Sequence, residues 1–412
     1  MVGRLNTLAL AMATLYVCPV SAEDSENSIF SLSSFGTVGI VHSSENKADF
    51  TSSIFKPNGT GHTRNWSADV DSLVGAQLTA NFSPQLSAVV QVISEQQYDN
   101  SYEPSIEWAN IKYQFTPDFS MRVGRTVQPA FLFSDSRKVG YTLPWVRPPG
   151  EVYSLIPITN TDGVDLSYRL HFGDLINTVQ GNYGRSNPHM PNDMGKVLAK
   201  GSWGVSNLTE YGALTTRITY LETHLTVESF NPLFDGFREF GEEGNRIADR
   251  YDTKDKRMKF VGVGAIYDPG KWFVMGEWGH FNSQAVIGTV SAWYLSGGYR
   301  LDEFTPYVTY ARSRTDSETS TPGLNTSALP PDLAGAATGL NAALNSLMAA
   351  NSSQQTLSVG MRWDFTSNMD AKIQYDHTRL GPRATGPLVN HQPGYEPGGN
   401  FSLLSLSVDF VF

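Results

Sequence analysis

The most regular feature of the sequence is an alternation of apolar and polar residues along many of its segments. Val164, Leu166 and Tyr168, for example, alternate with Asp165 and Ser167, and the same period of two recurs further along the chain. Successive side chains of a β-strand point to opposite faces of the sheet, so this period predicts strands with one apolar and one polar face.

The connections between these segments alternate between very short and longer ones. The short connections, at 83–85, 116–118, 172–174, 210–212, 268–270, 301–303 and 366–368, contain residues that favour turns. The longer ones lie near 43–71, 97–103, 130–160, 186–201, 230–255, 284–289, 317–353 and 381–399. The alternation of short and longer connections predicts sixteen strands. Apolar and polar residues alternate less regularly in the eighth to thirteenth strands, so the predicted number holds to within two. They are expected at 30–43, 72–83, 86–97, 104–116, 119–129, 161–172, 174–186, 201–210, 213–229, 256–268, 271–283, 290–301, 304–316, 354–366, 369–380 and 401–412.

Alternation alone does not distinguish a water-soluble sandwich from a membrane barrel, but segment length and aromatic placement do. Most predicted strands are long enough for a tilted membrane crossing of about 9–11 residues, whereas soluble strands average about 5–6. Aromatic residues such as Trp272, Phe304 and Trp363 fall near the predicted strand ends, as in the aromatic girdles of membrane barrels. An open sheet edge is not tolerated in lipid. The sequence therefore predicts an all-β, transmembrane, antiparallel up-and-down barrel of about sixteen strands, wide enough for an aqueous lumen.

The first 22 residues predict export. Arg4 precedes an apolar run over 8–20, and Val20, Ser21 and Ala22 resemble a cleavage site, so residues 1–22 are interpreted as a signal peptide rather than an uncleaved anchor. Residues 23–412 would then form a single barrel domain. The only cysteine, Cys18, lies in the predicted signal peptide, and the chain's net charge of −10 argues against nucleic acid as a partner.

The last predicted strand has an apolar face that ends in Phe410 and Phe412. This pattern resembles the assembly signal of Gram-negative outer-membrane barrels, and the chain from residue 23 onward resembles the general porins of that membrane. Segment 121–125 is similar to the strand that leads into the constriction loop of those porins. The resemblance implies an outer-membrane homotrimer in contact with lipopolysaccharide, with one channel per subunit and a third loop, here 130–160, folded into each barrel. Segment 144–151 departs from the family's Pro-Glu-Phe-Gly-Gly-like stretch, which leaves selectivity and pore size open.

Charged residues in and near loop three are the candidates for a pore constriction. They are Lys112, Arg122, Arg125, Asp135, Arg137, Lys138, Arg147 and Glu151. Opposed charges at the narrowest point would sort solutes by charge, whereas the alternative role is to fasten the loop to the wall. Arg122 and Arg125 cannot both face inward on a regular strand, so one is expected at a bulge or at the membrane interface. The basic excess of this set predicts a slight anion preference.

The predicted function is passive diffusion of small hydrophilic solutes through a water-filled channel, with no cofactor. Alternatives are an uptake channel that prefers small organic acids or sugars, an adhesin or receptor barrel without an open pore, and, less favoured, an outer-membrane hydrolase, since common enzyme motifs are missing. Asp69 and Asp71 are weak candidates for a divalent cation shared with lipopolysaccharide. Within the long outer loop 318–353, segment 331–351 predicts a helix that lies on the rim, covers the pore mouth or contacts a neighbouring subunit.

Overall fold

The computed structural model describes residues 28–327, 329–350 and 353–412, so the predicted signal peptide lies outside the described residues. Sixteen long strands follow one another along the chain. They are β1 (Phe30–Ser43), β2 (Leu73–Asn81), β3 (Leu86–Glu95), β4 (Ser105–Gln114), β5 (Phe119–Val127), β6 (Asn160–Phe172), β7 (Leu175–Ser186), β8 (Val197–Tyr211), β9 (Leu214–Val227), β10 (Lys256–Tyr267), β11 (Trp272–Ser283), β12 (Val290–Tyr299), β13 (Phe304–Thr315), β14 (Gln354–Thr366), β15 (Met369–Leu380) and β16 (Gly399–Val411).

The sheet is closed. Each strand pairs antiparallel with the next, and β1 pairs with both β2 and β16. At the closing seam, the backbone N–H of Ser34 donates to the carbonyl of Phe412 and the N–H of Phe412 donates to the carbonyl of Ser34, both at 2.8 Å. The predicted sixteen-stranded antiparallel barrel is therefore confirmed.

Strand β8 begins earlier than the sequence pattern predicted, at Val197 instead of residue 201. The pairing of β8 with β9 shifts register between Lys200 and Trp203, and Gly201 between them has φ +57°. Such a bulge interrupts the period of two, which concealed the first residues of the strand.

The two faces of the barrel differ as the alternation predicted. Apolar side chains such as Val38, Leu295 and Val359 point outward and are about half exposed, whereas polar side chains such as Thr219 and Ser405 point inward and are buried. Outward-facing aromatic residues concentrate near the short turns, among them Trp272. An apolar outer belt that ends in aromatic residues is the surface of a barrel that spans a bilayer. Among the described residues, no helix is both long and apolar enough to cross a membrane.

The seven predicted short connections all join consecutive strands. Three of them contain a glycine with a positive φ, Gly173 (+62°), Gly212 (+56°) and Gly270 (+101°). Glycine adopts this conformation without the clash that a Cβ would cause, so these turns can be very tight.

The described parts of the longer loops contain four α-helices. They are α1 (Gly150–Tyr153) in loop three, α2 (Asn231–Arg238) and α3 (Gly241–Tyr251) in loop five, and α4 (Pro331–Ala349) in loop seven. Helix α4 occupies most of segment 331–351, for which the sequence predicted a helix.

Helices α2, α3 and α4 pack together into what we call the helical cap. Its core is the buried cluster of Phe234, Phe237, Ala248, Ala337 and Leu344. Ala337 and Leu344 lie on the buried face of α4, whereas Leu333 is exposed. Loops five and seven thus stabilise each other at the end of the barrel that carries the longer loops.

Loops one and eight form a second folded unit. Three short strands, Leu388–Val389, Asp49–Phe50 and Thr60–Gly61, make a small sheet at the end of the barrel that carries the longer loops. Apolar residues of both loops and of the adjoining strands form a buried cluster there, among them Val41 and Phe401.

Candidate pore constriction

Loop three, which connects β5 to β6, lies inside the barrel. The indole Nε1 of Trp145 donates to the hydroxyls of Ser296 (3.0 Å) and Thr309 (2.9 Å), on the inward faces of β12 and β13. The backbone N–H of Val146 donates to Oε1 of Gln374 on β15 (3.1 Å). These contacts with distant strands confirm the predicted inward-folded third loop.

Part of loop three reaches the short-turn end of the barrel. Nη1 of Arg362 donates to the carbonyls of Tyr141 (2.6 Å) and Leu143 (3.1 Å), and Nζ of Lys372 donates to the carbonyl of Gly140 (2.7 Å). The hydroxyl of Tyr141 donates to the carbonyl of Ser367, which lies in a short turn (2.7 Å). Two wall cations therefore hold this segment through its backbone.

A cavity of about 640 Å³ remains between loop three, the wall and the outer loops. Four of the predicted constriction residues line it: Arg137, Lys138, Arg147 and Glu151. Further charged residues in the lining were not among the predicted set, notably Lys56, Asp71, Glu95 and Asp376. Asp376 occupies an inward-facing polar position of the alternating pattern, so its place in the lumen was predictable from the sequence. No local pattern identified Lys56 as a residue of the lining.

Arg147 is held by two carboxylates. Its Nε and Nη2 donate to the two carboxylate oxygens of Asp71 (2.9 and 2.6 Å), and its Nη1 donates to Asp376 (3.2 Å). The structure thus pairs Arg147 with loop one and with the wall. Burial acts to lower the pKa of Arg147, yet the neighbouring Asp71 and Asp376 outweigh it and raise the pKa above its usual range.

Glu151 lies in α1 and faces strand β14. It accepts hydrogen bonds from Nε2 of Gln354 (2.8 Å) and from the hydroxyl of Thr356. Burial raises the pKa of Glu151 above its usual range, and the two hydrogen bonds oppose that shift only in part. Glu151 is therefore an acidic group whose charge in the lumen depends on pH.

Elsewhere in the cavity lining, three basic residues lie near the carboxylate of Glu95. Lys138 forms an ion pair with Glu95, and Nζ of Lys56 lies 3.9 Å from the same carboxylate. Arg137 instead donates from Nη1 to the carbonyl of Ile156 and from Nη2 to the carbonyl of Tyr153, both at 3.1 Å. In the part of the chain that the structure describes, no carboxylate lies within 4.0 Å of the Arg137 guanidinium. This region of the lining is locally basic.

The other four predicted residues do not line the cavity. Lys112 and Arg122 are register partners on the inner wall, and Nε of Arg122 donates to Asp165 (2.8 Å). Asp135 is exposed and lies 3.6 Å from Arg217.

Arg125 belongs to the outward-facing series of β5, near its loop end. It forms a two-pronged ion pair with Asp162 on β6, with Nε to Oδ1 at 2.7 Å and Nη2 to Oδ2 at 2.9 Å. Arg122 faces inward, so the structure separates the two arginines as the alternation required.

Comparisons with known proteins support the fold. No protein-family model and no curated protein matches the chain. Among solved structures, the chain is similar to OmpF of Salmonella typhi in complex with daunomycin, at 11% identity with 93% of this chain and 97% of that chain covered and a TM-score of 0.55. It is also similar to an anion-selective porin from Comamonas acidovorans (11% identity, 93% and 100% covered, TM-score 0.54). A third match is the outer-membrane channel DcaP of Acinetobacter baumannii (14% identity, 92% and 97% covered, TM-score 0.52). The fold is porin-like.

The porin-like fold and the apolar outer belt together identify an outer-membrane β-barrel of a Gram-negative bacterium. The short turns then face the periplasm and the long loops face the exterior. The cavity, the helical cap and the sheet of loops one and eight consequently belong to the extracellular half.

Phe410 and Phe412, the predicted assembly signal, lie on the outward face of β16 near the short turns. The Phe410 ring covers Gly36 of β1, where an added Cβ would lie 2.5 Å from the ring. The rings of Phe410 and Phe412 are neighbours, with centroids 5.8 Å apart. Both residues therefore lie at the strand pair that closes the barrel.

The two acidic residues considered for a divalent cation are committed to other partners. Asp69 pairs with Arg64 and accepts a hydrogen bond from Tyr102, and Asp71 pairs with Arg147. Among residues 28–327, 329–350 and 353–412, no group of three or more His, Cys, Asp or Glu residues is arranged to hold a metal ion.

Proposed function

We propose that the protein is a porin, which forms a water-filled channel for passive diffusion of small hydrophilic solutes. The observation that carries this proposal is the lining of the lumen: loop three narrows it, and charged groups of both signs face the remaining cavity. Charged side chains at a constriction sort solutes by charge and dipole.

We propose that the channel is only weakly charge-selective, with a slight anion preference. Arg147 is neutralised by its carboxylate partners, whereas the hydrogen-bond acceptors of Arg137 among the described residues are backbone carbonyls. Screening over about 8–10 Å at physiological salt weakens the remaining field.

Reconstitution in planar bilayers tests both statements. We expect discrete conductance steps and a reversal potential in a salt gradient that lies slightly on the anion side. Deleting residues 138–150 should increase single-channel conductance, because it removes lumen material without shortening a strand. Replacing Arg122 and Arg147 by Gln should shift the reversal potential toward cations. A folded barrel without conductance would favour an adhesin or receptor role instead.

A transport role is favoured over a hydrolytic one because the carboxylates around the cavity already have partners. Asp71 and Asp376 bind Arg147, Glu95 binds Lys138, and Glu151 binds an amide and a hydroxyl. A detergent-solubilised assay on phospholipid and peptide substrates should show no turnover, and turnover would support a hydrolase.

We propose a homotrimer, as the porin resemblance implies, with lipopolysaccharide around its outer surface. Outward-facing basic residues, which we call the basic belt, lie at the extracellular ends of four strands. They are Arg185, Lys259, Arg312 and Arg379, all exposed and none within ion-pair distance of a described carboxylate. Cations at the extracellular surface of the membrane can bind the phosphate groups of lipopolysaccharide. Chemical crosslinking in detergent should capture three subunits.

A further inference from the structure

The cavity has an apolar side that a path for hydrophilic solutes does not require. Six apolar side chains line it while remaining partly exposed, and we call them the apolar patch: Ile156, Leu225, Phe230, Phe281, Ile287 and Leu347. They come from loop three, β9, loop five, β11, loop six and α4. Six separate elements thus direct apolar groups toward one space.

Leaving apolar side chains in contact with water is unfavourable, at about 25 cal/mol for each Å². Exposed apolar patches of this kind therefore mark surfaces that bind something. Sites for small organic molecules are mainly apolar, contain a few polar groups and enclose roughly 300–1,000 Å³, and the cavity of about 640 Å³ falls in that range.

The basic group beside the apolar patch is Arg137. Its Nη1 binds the carbonyl of Ile156, a member of the patch, and its Nη2 binds the carbonyl of Tyr153. The guanidinium also lies over the Tyr153 ring, 5.4 Å from its centroid. These contacts hold the side chain in place and leave further N–H donors for an anion. A guanidinium binds a carboxylate through two parallel hydrogen bonds.

We propose that the lumen binds small amphiphilic organic anions, carboxylates that carry an aromatic or alicyclic ring. The ring contacts the apolar patch and the carboxylate binds Arg137. This assignment rests on the proposed channel function and names its preferred solute class. A sugar fits less well, because its hydroxyls would lose hydrogen bonds to water against the apolar patch.

The test is block of the ion current by defined solutes in planar bilayers. Benzoate and cyclohexanecarboxylate are the probes, with acetate and benzyl alcohol as controls that lack the ring or the charge. We expect the two ring carboxylates to reduce the current at concentrations about tenfold lower than acetate, since burying a ring against apolar groups is worth at least that factor. They should also act at lower concentrations than benzyl alcohol, because only the carboxylate can bind Arg137. Equal block by benzoate and acetate in a conducting channel would overturn the inference and leave the porin proposal intact. Absence of any current would overturn the porin proposal itself.

Variants separate the two halves of the site. Arg137→Gln should abolish the preference for benzoate over benzyl alcohol, and Arg137→Lys should retain part of it. Ile287→Ser and Leu347→Ser lie outside the barrel strands, so they should weaken block by both ring carboxylates without loss of barrel folding. Arg169→Gln, on the inner wall away from the cavity, is the matched control. If Arg169→Gln reduces benzoate block as much as Arg137→Gln does, the effect is a general one of lumen charge and the assignment of Arg137 is wrong.

Discussion

Removing the guanidinium of Arg147 should loosen the part of loop three around Arg147 from the wall, while Arg362 and Lys372 still hold residues 140–143. In Arg147→Met an unbranched apolar side chain replaces the guanidinium, and Asp71 and Asp376 lose their common partner. The side chains involved are buried, with 13% of Arg147, 4% of Asp71 and 6% of Asp376 exposed, so solvent screens this interaction little. Removal of one partner from a buried ion pair costs about 3–5 kcal/mol, because it leaves uncompensated buried charge.

A change of that size shifts the equilibrium between attached and detached loop by roughly one hundred-fold to several thousand-fold. Single-channel recording is the assay, after heat-dependent gel mobility has shown that the variant barrel is folded. We expect frequent transitions between conductance levels and a higher mean conductance. The triple variant Arg147→Met, Asp71→Asn, Asp376→Asn should recover stable traces, because no unpaired charge then remains.

The matched control is Arg300→Met. Arg300 makes a similar two-pronged pair with Asp268, with both distances at 2.7 Å, but the side chains are 40% and 32% exposed at the periplasmic turns. Exposed pairs are worth about 0–1 kcal/mol, so its traces should match the wild type. The reasoning is refuted if a folded Arg147→Met channel also matches the wild type, or if Arg300→Met disturbs the current equally.

Three further predictions concern other parts of the barrel. Burial raises the folded-state pKa of Glu151, so the neutral form of Glu151 contributes to loop attachment at low pH, and this contribution is lost as pH rises through the raised pKa. Because Glu151 gains negative charge over the same range, the reversal potential should move toward cations between about pH 4 and 8. Glu151→Gln should flatten this change. Phe410→Ala or loss of Phe412 should lower the yield of inserted barrel while export continues, whereas Phe365→Ala, an outward aromatic at the same end of β14, should not; equal yields for all three would contradict an assembly signal. Replacing the four residues of the basic belt by Gln should reduce the amount of lipopolysaccharide phosphate that copurifies with the protein. Lys271→Gln, on the periplasmic side, should leave that amount unchanged. If Lys271→Gln lowers the amount of phosphate and the belt variant does not, the belt is excluded as a binding surface.

The sequence by itself determined the barrel. A period of two is a local property of the chain, and so is the choice of a turn residue such as Gly173. Lipid then requires a closed sheet, since unpaired backbone groups are too costly in hydrocarbon. Strand number, antiparallel order and the outward apolar belt were therefore predictable, whereas the inward third loop was expected only from the resemblance to porins. The bulge at Lys200 displaced one strand end by four residues, and the other ends agree with the prediction to within about two.

The tertiary structure alone decided the arrangement of the lumen. Arg147 binds Asp71 and Asp376, which are 76 and 229 residues away in sequence, and no local pattern connects such positions. The loop charges were visible in the sequence, but their partners depend on how far loop three descends and which strand it meets. The same holds for the apolar patch, because its members belong to six elements that approach one another only after the barrel closes and the loops fold over it.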